Sequence, residues 1–166
     1  MTKSHIRILA IDPGTRFMGV ALLENGLPIH LGVKTIKPRM SPHETLKAGR
    51  KIILRLIKDY RPHILSVEKT FFANNRNSSL LNVLGDEIRA IGKRKKLRVI
   101  CFAPSTIRKA ICGNGRASKE DVARVLVYRF PELKVYLTQD RKWKERFHQN
   151  MFDALALAVL VSKSVR

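Results

Sequence analysis

The sequence predicts a mixed α/β fold: a five-stranded sheet, built from a three-strand antiparallel meander plus parallel strands and flanked by helices. Three observations predict it. Apolar runs of strand length open the chain and recur at 63–68 and 97–102. Asn25-Gly26 separates two of the early runs, and this dipeptide is the strongest short hairpin signal. Segments of helical periodicity lie between the later runs, as parallel crossovers require. A chain of 166 residues suits one domain, here 1–166, with a substantial buried core.

The elements follow in order. Residues 6–12 (IRILAID) read as a buried strand ending in an acid, 16–24 as its partner, and 27–36 as the return strand after Asn25-Gly26. Ser41, Pro42 and Glu44 form an N-cap, an N1 proline and a capping glutamate. Leu46, Ile53, Leu56, Ile57 and Tyr60 follow at helical spacing, and Arg61-Pro62 ends that helix. Residues 63–68 read as a fourth strand beside the first and parallel to it. FFANNRNSS (71–79) reads as an exposed loop or a ragged helix start, and a helix near 79–92 presents Leu80, Leu81, Leu84, Ile88 and Ile91 on one face. Residues 97–102 make a fifth strand. Ser105 caps a short helix ending at Cys112, and Ser118 caps another with Asp121 at N3 and Val122, Val125 and Leu126 inward. Residues 134–148 read as a basic loop, and a last helix over about 149–162 is apolar nearly all round.

Charge narrows the function. Lys plus Arg is 33 against 13 Asp plus Glu, a net charge of +20. Such an excess favours a polyanionic partner, and nucleic acid is the obvious one. No apolar run has the length of a bilayer span, and the N-terminus has no signal-peptide layout. Cys101 and Cys112 lack metal-site spacing and read as reduced core thiols, which places the chain in the cytoplasm or an equivalent reducing compartment.

Four polar side chains stand where apolar residues are expected: Asp12 and Glu68 at strand ends, Asn150 and Asp153 at the head of the last helix. Asn150 and Asp153 are i and i+3, so they share a helix face. Divalent-metal binding for phosphodiester cleavage accounts for the set. Each residue also has an ordinary reading: Asp12 as a turn acid before Pro13-Gly14, Glu68 as an exposed strand end, Asp153 as a first-turn acid, and Asn150 as the helix N-cap. His148 is a weaker ligand candidate, five residues from Asp153 and turned to another helix face. Lys119, in a first helical turn where a cation is mildly unfavourable, points to an anionic ligand such as the scissile phosphate.

The order of these motifs resembles the RuvC-type Holliday junction resolvases of the ribonuclease H-like superfamily. The resemblance covers about 6–162 and rests on Ile11-Asp12-Pro13-Gly14-Thr15 with Gly19, on Glu68 followed by Lys69-Thr70-Phe71-Phe72, on Gly113-Asn114-Gly115-Arg116-Ala117-Ser118-Lys119, and on Asp153-Ala154-Leu155-Ala156. It implies a homodimeric, magnesium-dependent endonuclease of DNA recombination and repair, cutting four-way junctions by paired symmetric nicks. Manganese is a substitute ion, and a branch-migration motor a further partner. The implied metal ligands are Asp12, Glu68, Asn150 and Asp153, with two ions per site. Such ions activate a water and stabilise the leaving 3′ oxygen. The family carries Asp or His at the position of Asn150, so the amide lowers the charge of the cluster. Arg108 and Lys119 match the basic residues near the scissile strand, Lys119 counting as catalytic, and Phe71 matches the aromatic at the junction core. Arg116, Lys93, Arg94, Lys95, Lys96, Arg141, Lys142 and Lys144 complete the DNA-contacting set, with Trp143 as a stacking candidate.

Other functions stay open at this level. A branched-DNA-binding protein without nuclease activity fits Asn150, and a related ribonuclease on structured RNA shares the Asp-x-Gly-Thr opening. An actin-like ATPase needs two such domains, and the length supplies one.

Overall fold

The computed structural model describes residues 5–70, 76–139 and 141–165. Its sheet has five strands in the order β3-β2-β1-β4-β5: β1 (Arg7–Asp12), β2 (Phe17–Glu24), β3 (Leu27–Thr35), β4 (Ile64–Glu68) and β5 (Arg98–Phe102). The first three form the antiparallel meander, and β4 and β5 add in parallel beside β1. Asn25 and Gly26 both have positive φ, 53° and 85°. That is the backbone of the hairpin turn whose twist matches the flanking strands.

Side-chain alternation divides the core into two layers. Leu9 and Ile11 of β1, Val20 and Leu22 of β2, and Leu65 and Val67 of β4 face one side. There they pack on α1 (Pro42–Tyr60) and α2 (Arg76–Arg94) through Ile53, Leu56, Leu84 and Ile88. Ile8, Ala10, Ala21, Leu23 and Ile64 face the other side, where α3 (Pro104–Cys112), α4 (Lys119–Arg129) and α6 (Lys142–Ser164) cover them. The short α5 (Lys134–Leu137) joins α4 to α6 after a single 3₁₀ turn. Helix α6 supplies Phe152, Leu155 and Leu157 to this layer, each fully or almost fully buried. None of the helices among the described residues is long and apolar enough to cross a membrane.

Local chemistry sets several boundaries. Ser41 and Glu44 form the expected reciprocal capping box, and Arg61 closes α1 in the left-handed conformation. Ser118 and Asp121 repeat the capping box on α4. Elsewhere the structure corrects the expectations. Ala103, not Ser105, caps α3, because Pro104 takes the N1 position and starts the helix earlier. Helix α2 begins at Arg76 rather than 79. Val125 is 38% exposed rather than inward. The largest difference is α6: it starts at Lys142, so part of the supposed basic loop is helix and the rest holds α5. Charged residues hid that helical turn because only its later half is wrapped in apolar neighbours.

Candidate active site

Strand parity builds the site. Asp12 follows Ile8 and Ala10 on the face that looks at α6, and Glu68 follows Ile64 and Ser66 on the same face of the adjacent parallel strand. Both carboxylates therefore reach the carboxyl end of the sheet side by side, opposite Asp153 of α6. Gly19, paired with Asp12 in the ladder, lets α6 come this close. A Cβ at Gly19 would lie 1.9 Å from the carbonyl oxygen of Asn150. Glycine is required there by close approach of backbone to backbone.

The electrostatics are strained. Burial, then repulsion from Asp153 and Glu68, holds the Asp12 carboxyl well above the usual range, with Lys119 opposing. Burial and Asp153 raise Glu68 to about 7, against the pull of Lys119 and Arg108. Lys119 Nζ donates to Asp153 Oδ2 at 2.9 Å. Burial disfavours the Lys119 charge, but Asp153, Asp12 and Glu68 outweigh it, and its pKa rises. Gln149 Nε2 donates to the other Asp153 oxygen at 3.1 Å. Glu68, Arg108, Lys119 and Asp153 line a small recess of about 30 Å³, closed by Pro104, Ile107, Val122 and Ala156. Buried carboxylates that raise one another's pKa mark functional sites, because an added cation relieves them all.

The structure thus brings together Asp12, Glu68, Asp153, Lys119 and Arg108. Asn150 comes near through its backbone only. Its side-chain Nδ2 donates to the Phe147 carbonyl at 3.2 Å, and it lies inside α6 rather than at its N-cap. His148 is held on the helix, its Nδ1 against the Lys144 carbonyl and its ring against Tyr136. Phe71 lies outside the described residues. Arg116 is exposed on the turn before α4. Lys142 lines a wider cleft of about 630 Å³ with Lys119, Arg124, Tyr136, Arg146 and Gln149. Arg141 begins α6, and Lys144 lies over the Trp143 ring. Lys93 and Arg94 end α2, and Lys95 and Lys96 turn toward β5, at the opposite end of the sheet. Sequence reasoning missed Gln149 and Arg124. Gln149 is i−4 to Asp153, a helical neighbour, and only its hydrogen bond to that carboxylate reveals it.

Among the described residues, no three His, Cys, Asp or Glu side chains stand within joint reach of a metal ion. Lys119 occupies the cationic position beside Asp153. The donor chemistry of Asp12, Glu68 and Asp153 still fits a hard divalent cation: carboxylate oxygens, deeply set and repelling one another. Asn150 adds no charge to that set, and its Nδ2 donates to the helix backbone.

The fold is ribonuclease H-like, with acids at adjacent strand ends facing an acid on the last helix. A family model, crossover junction endodeoxyribonuclease RuvC, matches residues 8–160. The chain belongs to that family, whose members are metal-dependent nucleases. It is 33% identical over 129 residues to the RuvC of Christiangramia forsetii, covering 75% of this chain and 67% of the relative. With the RuvC of Myxococcus xanthus it shares 30% over 159 residues, 93% of this chain and 78% of the relative. Among solved structures, Thermus thermophilus RuvC in complex with a Holliday junction superposes with a TM-score of 0.71 at 20% identity, covering 93% and 92% of the two chains. The yeast mitochondrial Holliday junction resolvase follows at 0.68 and 13% identity, over 98% and 82%. These two likenesses establish the fold.

Proposed function

We propose that the chain is a structure-selective endodeoxyribonuclease that resolves four-way DNA junctions by paired symmetric nicks. Family membership supports the activity, and one observation carries its placement: Asp12 and Glu68 end neighbouring parallel strands and face Asp153, in a setting that raises the pKa of the first two. Asp12, Glu68 and Asp153 would hold magnesium, with manganese as a substitute. The ion supplies a polarised phosphoryl oxygen and a water of lowered pKa.

The chain's own residues do the rest. Asp12 from β1, Glu68 from β4 and Asp153 from α6 would each offer carboxylate oxygen to the ion. Lys119 is the cation that meets the scissile phosphate. A phosphate arriving at the recess would compete with Asp153 for the Lys119 ammonium. Arg108, on the recess wall, neutralises the same phosphate. The cleft lined by Lys142, Arg146 and Arg124 receives the flanking strand, with Arg116, Arg141 and Lys144 on its approaches. Phe71 is assigned to the crossover by resemblance alone, as is a branch-migration motor. A homodimer suits the two-fold symmetry of the junction, and α2, which leaves Val83 49% exposed, is the face assigned to it.

One observation favours a second reading, a junction-binding protein with little turnover: position 150 carries a neutral amide, whose Nδ2 donates to the Phe147 carbonyl. The deciding experiment incubates the chain and Asn150→Asp with a labelled four-way junction and a linear duplex in magnesium. Paired nicks by both are expected, faster with Asn150→Asp. Binding without nicks by either would overturn the nuclease reading, and nicks by Asn150→Asp alone would make this chain a silenced resolvase.

A further inference from the structure

Strand direction separates two ends of the sheet. The acids sit at the carboxyl ends of β1 and β4. The six residues of β1 put Arg7 about 17 Å from Asp12 at 3.3 Å per residue. Around Arg7 lies an open recess of about 900 Å³, lined by His5, Arg61, His63 and Arg98 with the single acid Glu24. It is a built surface. Arg7 Nε is paired to Glu24 at 2.7 Å, and its Nη1 donates to the Tyr60 carbonyl at 3.0 Å. The Arg7 amide donates to His63 Nδ1 at 3.0 Å. That bond leaves the His63 proton on Nε2, an available donor. Arg61 and Arg98 are exposed and ion-paired to no described residue.

The turn that precedes Arg98 extends this row. Lys93, Arg94, Lys95 and Lys96 are all exposed there. Nearby Glu87 is already held by Arg50 and Arg94. The result is a strip facing away from the catalytic cleft, in which Arg61, Lys93, Lys95, Lys96 and Arg98 are ion-paired to no described residue. A single small anion would leave most of it unmatched. A duplex, with one charge per ~1.7 Å of axis, would not.

We propose that this pole binds the phosphodiester backbone of a second DNA duplex segment while the catalytic cleft holds the junction. The second segment rests on the DNA reading above. The cations of the pole do not.

The test uses the chain carrying Asp12→Asn, so that bound DNA is not cut. It is saturated with an unlabelled four-way junction and then offered a fluorescent linear duplex. A ternary complex is expected. Adding Arg61→Gly, which suits the left-handed backbone at that position, and Arg98→Ser should weaken its formation at least tenfold, with junction affinity within twofold. A duplex that fails to join, or joins both chains equally, overturns the proposal. Duplex capture that is insensitive to the pair but competed by polyglutamate overturns it too, and marks the pole as a protein-docking surface. Should the junction itself not bind, the resolvase reading fails. The pole is then read from the salt dependence of duplex binding alone, where losing two contacts should lower the log–log slope by about 1.8, and an unchanged slope rejects it.

Discussion

The two ends of one sheet handle charge in opposite ways. At the carboxyl end, three acids gather where β1 and β4 meet the middle of α6, and burial raises the pKa of Asp12 and Glu68. At the amino end, Arg7 is pinned and Arg61 and Arg98 stand in solvent. The same backbone supplies both, so the difference lies in desolvation. Buried like charges cost stability and gain a strong appetite for a cation. Exposed like charges cost little and act at a distance, through salt-dependent attraction.

The sharpest way to break this contrast is Asp12→Asn. Removing the central acid should lower junction cleavage by on the order of 10³-fold, several kcal/mol of barrier, while junction binding persists in a mobility-shift assay. Cleavage within tenfold of the parent would remove Asp12 from the machinery.

Gly19→Ala tests the close approach that makes the acidic end. The added Cβ meets the Asn150 carbonyl, so thermal unfolding should show a loss of about 1–3 kcal/mol. Normal stability with normal cleavage would mean that α6 can retreat without consequence.

Titration sharpens the comparison further. The folded pKa of Glu68 is raised from 4.5 to about 7, so the folded state holds this proton more tightly than the unfolded chain. Stability therefore falls as pH rises from about 4.5 to 7, and Asp12 adds in the same direction. At pH 8 in metal-free buffer, Glu68→Gln should stabilise by about 2–3 kcal/mol, and the gain should vanish near pH 4. Magnesium should raise the melting temperature of the parent more at pH 8 than at pH 5. A gain independent of pH would show that Glu68 is not desolvated.

Asn150→Asp comes next in size. It restores a carboxylate beside α6 and should raise cleavage about tenfold, ~1.4 kcal/mol, with a lower magnesium requirement. An unchanged rate would mean that a carboxylate at position 150 does not act with the other acids. The smallest effect belongs to the basic end, where Arg61→Gly with Arg98→Ser should shift stability by under about 0.5 kcal/mol, because neither side chain is ion-paired to a described residue.

Much was legible in the sequence. Asn25-Gly26, the two capping boxes and the apolar alternation of 6–12, 16–24 and 63–68 are local signals. They act through turn sterics, end-group hydrogen bonds and side-chain period, so they survive without tertiary context. The order of strands followed from short, right-handed crossovers, and with it the pairing of Asp12 and Glu68. The charge of +20 pointed to nucleic acid on its own.

Tertiary structure decided the rest. The reach of α6 back to Lys142 depends on packing of α5 and Tyr136 against it, which no helical period in 134–148 announced. That longer helix turned Asn150 from an N-cap into a mid-helix amide and brought Gln149 onto Asp153. Lys119 met Asp153 across 34 residues of chain, and the run Lys93 to Lys96 landed at the end of the sheet away from the acids. Composition counts charges wherever they fall. Only the parallel pairing of β1, β4 and β5 sorts them by end, because it fixes which way each strand points.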